Sequence, residues 1–368
     1  MTSGPSRPYD EMFGTLAAVR EEPETTTGNQ EFMLSSSAIA MRLPDRNTMP
    51  SLPPAAARTA ATGRLVCWLL IWACGAGCVG QASPPGQPDL VWGRQGLSPG
   101  RLMKPRAMAI DDRDQLYLVD MTGRIQVFTA DGRYLHGWRT PASENGKPTG
   151  LSFDRQGNLM VADTHYFRVL FFTPQGRLLE QQTIGGRYGS APGQFTLVTD
   201  GVQDSQGNYY VAEYGEYDRI QKFSPERKFL FQWGGHGNAP GQFARPQGLA
   251  LDEQDHVWVA DACNDRIQVF DATGGEARLV AVWGRQGTQP GQLRYPYDLW
   301  LDGPHVYVAE FGNHRVQKFT RDGRFVAAWG VHGRRRGELY QPWALVMDSQ
   351  RRLHILDTYN HRVQRIRL

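Results

Sequence analysis

Asp200, Glu213, Asp298 and Glu310 occupy matched positions in two segments of this 368-residue chain. Other segments of the same pattern carry Gly150 and Gly248 in place of the first acid of each pair, and aspartate in place of the second. Hard carboxylate oxygens gathered in this way could hold Ca²⁺ or Mg²⁺. The competing reading is local: Glu213 and Glu310 each precede an arginine, Arg219 and Arg315, close enough to pair with it. Four further acid/arginine pairs, Asp120/Arg124, Asp163/Arg168, Asp261/Arg266 and Asp357/Arg362, have similar spacing, which suits structural fasteners. A second constellation is aromatic and basic: Tyr166, Tyr214, Phe311 and Tyr359, with the run Arg334, Arg335, Arg336. Such groups around a concavity suit an anionic, sugar-like or peptide ligand.

The elements that must position these groups repeat. The acids of the six pairs lie 43, 50, 48, 49 and 47 residues apart. In the fourth unit a glycine-rich loop leads through Pro246 to an apolar strand over 248–251. Residues 252–255 turn, 256–260 form a second strand, and Arg266-Ile267-Gln268-Val269-Phe270 alternates as a third. Residues 279–283 supply the fourth. A period of this length with four strands per unit predicts an all-β, six-bladed propeller. The first unit shortens the turn between its second and third strands to Met121-Thr122-Gly123. The loops entering the first strand and those joining the second to the third should open on one face, where the aromatic and basic groups gather.

The sixth unit has only three strands, ending in Arg365-Ile366-Arg367-Leu368, whereas residues 89–93 read as an orphan fourth strand ahead of the first unit. The first strand is therefore expected to complete the last blade and remove the open edge. Trp92, Trp138, Trp233, Trp283 and Trp329 end outer strands and should pack between blades.

The phrases Val259-Ala260-Asp261-Ala262-Cys263-Asn264-Asp265-Arg266-Ile267-Gln268-Val269-Phe270 and Val308-Ala309-Glu310-Phe311-Gly312-Asn313-His314-Arg315-Val316-Gln317-Lys318-Phe319 resemble NHL repeats, as does Pro290-Gly291-Gln292-Leu293 leading to Pro296. The resemblance spans about residues 89–368, more strongly in units three to six, and implies six blades. It also brings in peptide-amidating lyases, similar propellers that hold zinc with inner-strand histidines. The corresponding positions here are Arg106, Thr149, Thr199, Gln247, Tyr297 and Trp343, so a three-histidine zinc site is not expected. His314 and His361 belong to the repeat phrase and read as turn residues.

Residues 1–62 are rich in Ser, Thr, Pro and Ala without apolar periodicity and read as a disordered or mis-assigned extension. Residues 63–82 read as a signal peptide: Arg64 precedes an apolar stretch ending by Gly80, which as a helix reaches only about 24 Å against a hydrocarbon core of about 30 Å. Cys78 follows Gly75-Ala76-Gly77 in a lipoprotein-like box and is the expected lipidation site if a lipid anchor attaches the protein to a membrane. Met41 or Met49 would then be the true start. With Cys67, Cys74 and Cys78 in that segment, Cys263 alone remains and internal disulfides are excluded from the mature domain.

With 40 basic against 37 acidic residues, the chain lacks the charge of a nucleic-acid binder. The expectation is an extracytoplasmic monomer, periplasmic, outer-membrane or secreted. It would act as a non-catalytic binding or scaffold module for a protein or cell-envelope ligand. A metal-assisted lyase or hydrolase at the acidic channel mouth is the alternative.

Overall fold

A computed structural model describes residues 87–367; the extension, the apolar segment and Cys78 lie outside the described residues. Six four-stranded antiparallel sheets form the propeller, and strands a to d of each run from the axis outward. Blade 4 is representative: Pro246–Leu251, Val257–Asp261, Arg266–Asp271 and Arg278–Trp283. Strands b and c alternate β-branched and aromatic residues and are buried on both faces, because each blade is covered by its two neighbours. Between b and c the chain makes a single 3-10 turn, Ala262–Asn264 in this blade.

Apolar residues of adjacent blades interleave, so the core is a series of layers between sheets rather than one central mass. The tryptophans ending the d strands supply its outer edge. Trp92, Trp138, Trp233 and Trp283 meet Phe128, Phe172, Phe270 and Phe319 of the next blade at 4.8, 5.8, 5.7 and 5.0 Å between ring centroids. A turn glycine lies against the face of one such ring: Gly323, at φ +84°, would place a Cβ 2.6 Å from the Trp283 ring. Blade 2 is the exception. It lacks the tryptophan, and its d strand shrinks to Ile184–Gly185.

Closure occurs as expected. Pro88–Trp92 pairs with Arg362–Arg367, completing the sheet of Pro342–Met347 and Arg352–Asp357. Asp89 accepts from Arg365 at 3.0 Å and Arg367 at 3.1 Å, and Arg336 donates to the Pro88 carbonyl. Deleting residues 89–93 is expected to lower the melting temperature by roughly 10 °C or more, as several lost kcal/mol would in a domain of this size. A melting curve unchanged by the deletion would rule out this role for the strand.

Candidate functional site

All six acid/arginine pairs form, and the loop face is built on them. Each acid lies at the end of strand b, one residue before its last in blade 3, with its carboxylate buried, and each arginine opens strand c, at 2.6–2.9 Å. In blade 4 Arg266 binds Asp261 through Nε and donates its remaining N–H groups to the Asn238, Ala239 and Gln242 carbonyls of the glycine-rich loop. Asp261 also accepts from the Ala244 amide. The pair thus fixes the loop that enters strand a through charge-assisted hydrogen bonds.

Blade 1 corrects the expectation that Asp120/Arg124 is one more copy of that pair. Its shorter turn leaves Asp120 and Arg124 outside the paired register, which reaches only Val119 and Ile125, whereas Asp261 and Arg266 are direct cross-strand partners. Arg124 therefore meets Asp120 through Nη2, at 2.6 Å, and turns its Nε to the Thr122 hydroxyl instead. The role as a fastener survives the changed geometry. Arg124 is buried and still donates to the Gly96, Leu97 and Arg101 carbonyls of the loop entering strand a.

Glu213 and Glu310 do the same work. Glu213 binds Arg219 at 2.6 Å and the Thr196 amide, and Glu310 binds Arg315 at 2.6 Å and the Arg294 amide. The four acids Asp200, Glu213, Asp298 and Glu310 therefore do not assemble as two metal-binding pairs. A β-bulge separates them: Glu213 pairs with Val198 and Asp200 with Ala212, while Glu310 pairs with Pro296 and Asp298 with Ala309. Among the described residues no group of three or more His, Cys, Asp or Glu side chains is placed to hold a metal.

Asp200 and Asp298 face the central channel and tie blades together. Asp200 accepts from the Gly201 amide and, across to blade 4, from Leu249 at 2.9 Å. Asp298 accepts from Leu299 and, across to blade 6, from Leu345 at 2.9 Å. Their glycine counterparts make room for them. A Cβ on Gly150 would lie 2.7 Å from Asp200 Oδ1, and one on Gly248 2.9 Å from Asp298 Oδ1. Glycine and aspartate in alternate blades are therefore steric complements, which explains a coordinated pattern that had suggested a metal.

Desolvation pushes the Asp298 carboxyl up to about 7. Desolvation raises Asp200 as well, and the charge of Asp298 adds to that rise. A folded-state value above the unfolded one means the native protein binds the extra proton. That stabilisation is full below the ordinary carboxylate value and is lost as pH rises through about 7. Between about pH 5 and pH 8.5 the wild type is expected to lose on the order of 1–3 kcal/mol more than Asp298→Asn, read from urea midpoints. Parallel pH profiles for the two proteins would contradict this.

Above the carboxylates the channel narrows to a cavity of about 30 Å³ lined by Arg106, Thr199, Gln247, Tyr297 and Trp343 together with Asp200 and Asp298. Aromatic rings and guanidinium groups frame it toward the loop face. Arg106 lies 5.5 Å from the Trp343 ring, and Arg245 lies 4.6 Å from Tyr214 and 5.9 Å from Tyr297. Tyr297 stacks on Phe311 at 4.5 Å and meets Trp343 at 5.0 Å, while Tyr359 sits 6.4 Å from Phe311 beneath Lys104.

Tyr214, Phe311 and Tyr359 are thus brought together, with Phe311 only 1% exposed as a wall behind Tyr297. Tyr166 is not part of this group: its hydroxyl turns to Glu144 and its ring lies under Arg168. The arginine run fastens its own loop. The Arg334 and Arg335 amides donate to Glu338, their carbonyls accept from Arg362, and Arg336 holds the closing strand. His314 and His361 accept the Gln341 and Lys104 amides of the next blade, as Asp265 accepts that of Tyr295, so both act as turn and inter-blade residues. Arg106, Arg245, Tyr297 and Trp343 were missed as site residues. Arg106, Tyr297 and Trp343 stand at the inner-strand positions where the zinc-binding propellers carry histidine, and Arg245 lies in the loop before strand a of blade 4.

The NHL repeat family matches residues 243–270. The chain is 30% identical over 190 residues to rat peptidylglycine alpha-amidating monooxygenase, covering 50% of this chain and 18% of that protein. It is 27% identical over 217 residues to Caenorhabditis elegans pgal-1, named for peptidyl-alpha-hydroxyglycine alpha-amidating lyase activity, covering 53% and 61%. Human NHL repeat-containing protein 3 is 28% identical over 181 residues, covering 46% of this chain and 52% of that protein. The chain therefore spans less than two thirds of each of these relatives. Among solved structures a streptogramin B lyase superposes with a TM-score of 0.53 at 10% identity, over 76% of this chain and 97% of that one, a likeness of fold alone. Similarity in sequence to amidating enzymes corrects the expectation of a non-catalytic binding or scaffold module.

Proposed function

We propose that this chain, an NHL-repeat propeller, is a lyase-type enzyme that takes a carboxylate-bearing substrate at the loop-face mouth of its central channel. The observation that carries the reading is the placement of Arg106 and Asp298 on one narrow cavity, one cationic and the other poised near neutrality. Arg106, with Arg245 nearby among the tyrosines, supplies the fork that grips a carboxylate, and the rings exclude water from it. Asp298, titrating near 7, can take a proton from the substrate and return it to the leaving group. Zinc held by three histidines does not fit, because those inner-strand positions carry Arg106, Thr149, Thr199, Gln247, Tyr297 and Trp343. The relatives' names make a peptide ending in α-hydroxyglycine the first substrate to try. The test is turnover by the purified full chain of that peptide and of a panel of lyase and lactone substrates. No turnover of any of them would overturn the assignment. The apolar stretch after Arg64 supports export of the enzyme from the cytosol.

A further inference from the structure

Below Asp200 and Asp298, away from the loop face, the channel widens again into a lumen of about 290 Å³. The inner strands of all six blades line it, and among the described residues no lysine, arginine or histidine does. Its outer end carries Ile110, Phe153, Leu251, Trp300 and Leu301, each partly exposed. These residues stand at or near the ends of the a strands, just before the a–b turns. Besides the two aspartates, the polar side chains are Ser152, whose hydroxyl donates to the Gly201 carbonyl, and the Trp300 indole. A lumen of this size lies near the lower bound of ligand cavities, about 300 Å³.

The two carboxyls close the inner end. Ala107 and Ala344, at the same level of their own inner strands, are 4% exposed, whereas both aspartates are partly exposed, so it is the aspartate side chains that show to the channel. Each carboxyl accepts one amide on each oxygen: Gly201 and Leu249 for Asp200, Leu299 and Leu345 for Asp298. An ionised carboxylate has about four acceptor sites, so each oxygen keeps one for a donor in the lumen. The Leu249 and Leu345 amides lie one residue further from the mouth than Gly248 and Ala344, which tips both carboxyls toward the lumen while they still line the cavity above. The charge of Asp298 reaches Asp200, so one donor group can serve both, and no cation offsets their desolvation. Two carboxyls at the inner end of an apolar lumen suit a ligand with a cation at its tip and hydrocarbon behind it.

We propose that the lumen binds a primary ammonium carried on an apolar chain, an amphiphilic amine that enters from the face opposite the mouth. The ammonium donates to Asp200 and Asp298, and the chain lies against Phe153, Leu251, Trp300 and Leu301. The site opens away from the mouth, and its occupancy does not depend on the reaction assigned there.

The test is a calorimetric titration of the purified full chain with octylammonium, octan-1-ol and methylammonium, at about pH 8 where Asp298 is ionised. Octylammonium is expected to bind roughly tenfold or more tighter than either partial ligand, since a site built for both features rejects analogues that lack one. From butylammonium to octylammonium, each methylene buried should tighten binding roughly fourfold. Asp298→Asn and Asp200→Asn should each weaken octylammonium at least about fivefold and leave octanol unchanged, so that octanol reports an intact lumen. Absence of octylammonium binding to the wild type would overturn the proposal. So would equal binding of octanol or methylammonium, an affinity independent of chain length, or wild-type affinity in both variants.

Discussion

Replacing Arg106 with glutamine will lower kcat/KM by roughly 30- to 1000-fold on any substrate the wild type turns over, the cost of removing one partner of a desolvated charge pair. The fold should survive. Arg106 contributes a cation–π contact with Trp343, worth about 0.5–2 kcal/mol, and carries no part of the blade fasteners. Arg106→Lys should recover part of the loss, because an ammonium keeps the charge but not the planar fork. Steady-state kinetics of the three proteins, with thermal melts alongside, gives the answer. A kcat/KM for Arg106→Gln within twofold of wild type, with the fold intact, would move the site away from the mouth.

The second large effect is on stability. Arg266→Ala should cost about 3–5 kcal/mol, because it leaves the buried Asp261 carboxylate without its cation and frees three loop carbonyls. Arg324→Ala is the matched control. Its pair with Asp322 has side chains 78% and 61% exposed, so the loss should stay within about 1 kcal/mol. Urea denaturation of both variants distinguishes a clamp from a surface ion pair. Equal small losses would show that the repeated arginines are dispensable.

Much of this architecture was legible because it repeats. The spacing of Asp120, Asp163, Glu213, Asp261, Glu310 and Asp357 sets the blade length, and the unpaired segment at residues 89–93 has one natural place in a ring. Even the irregular turn of blade 1 could be seen in the sequence, although not that Arg124 would swing its Nε from Asp120 to Thr122. The candidate site was less legible, for a geometric reason. Arg106, Tyr297 and Trp343 lie in three different repeats and meet because the inner strands converge on one axis, and Arg245 reaches Tyr297 from the loop entering strand a of a fourth. The repeat register lines up these inner-strand positions, but not which side chains touch across the axis. The acids misled in the opposite way. Asp200 and Glu213 are close in sequence, but the bulge between Val198 and Asp200 sends one carboxylate to the channel and the other to Arg219. The exchange of Asp for Glu in blades 3 and 5 kept the same partners with one more methylene.

Pairing between Pro88–Trp92 and Arg362–Arg367 joins segments about 270 residues apart, Asp89 and Arg365 being 276 positions from one another. On the ribosome the earliest of these strands must wait for the latest. Until then blade 6 lacks its outer wall, and Trp92 has no sheet from which to reach Phe128. Nascent chains should therefore stay open and susceptible to protease until residues 362–367 have emerged, and ring closure should wait for Pro88–Trp92 to zip onto that strand.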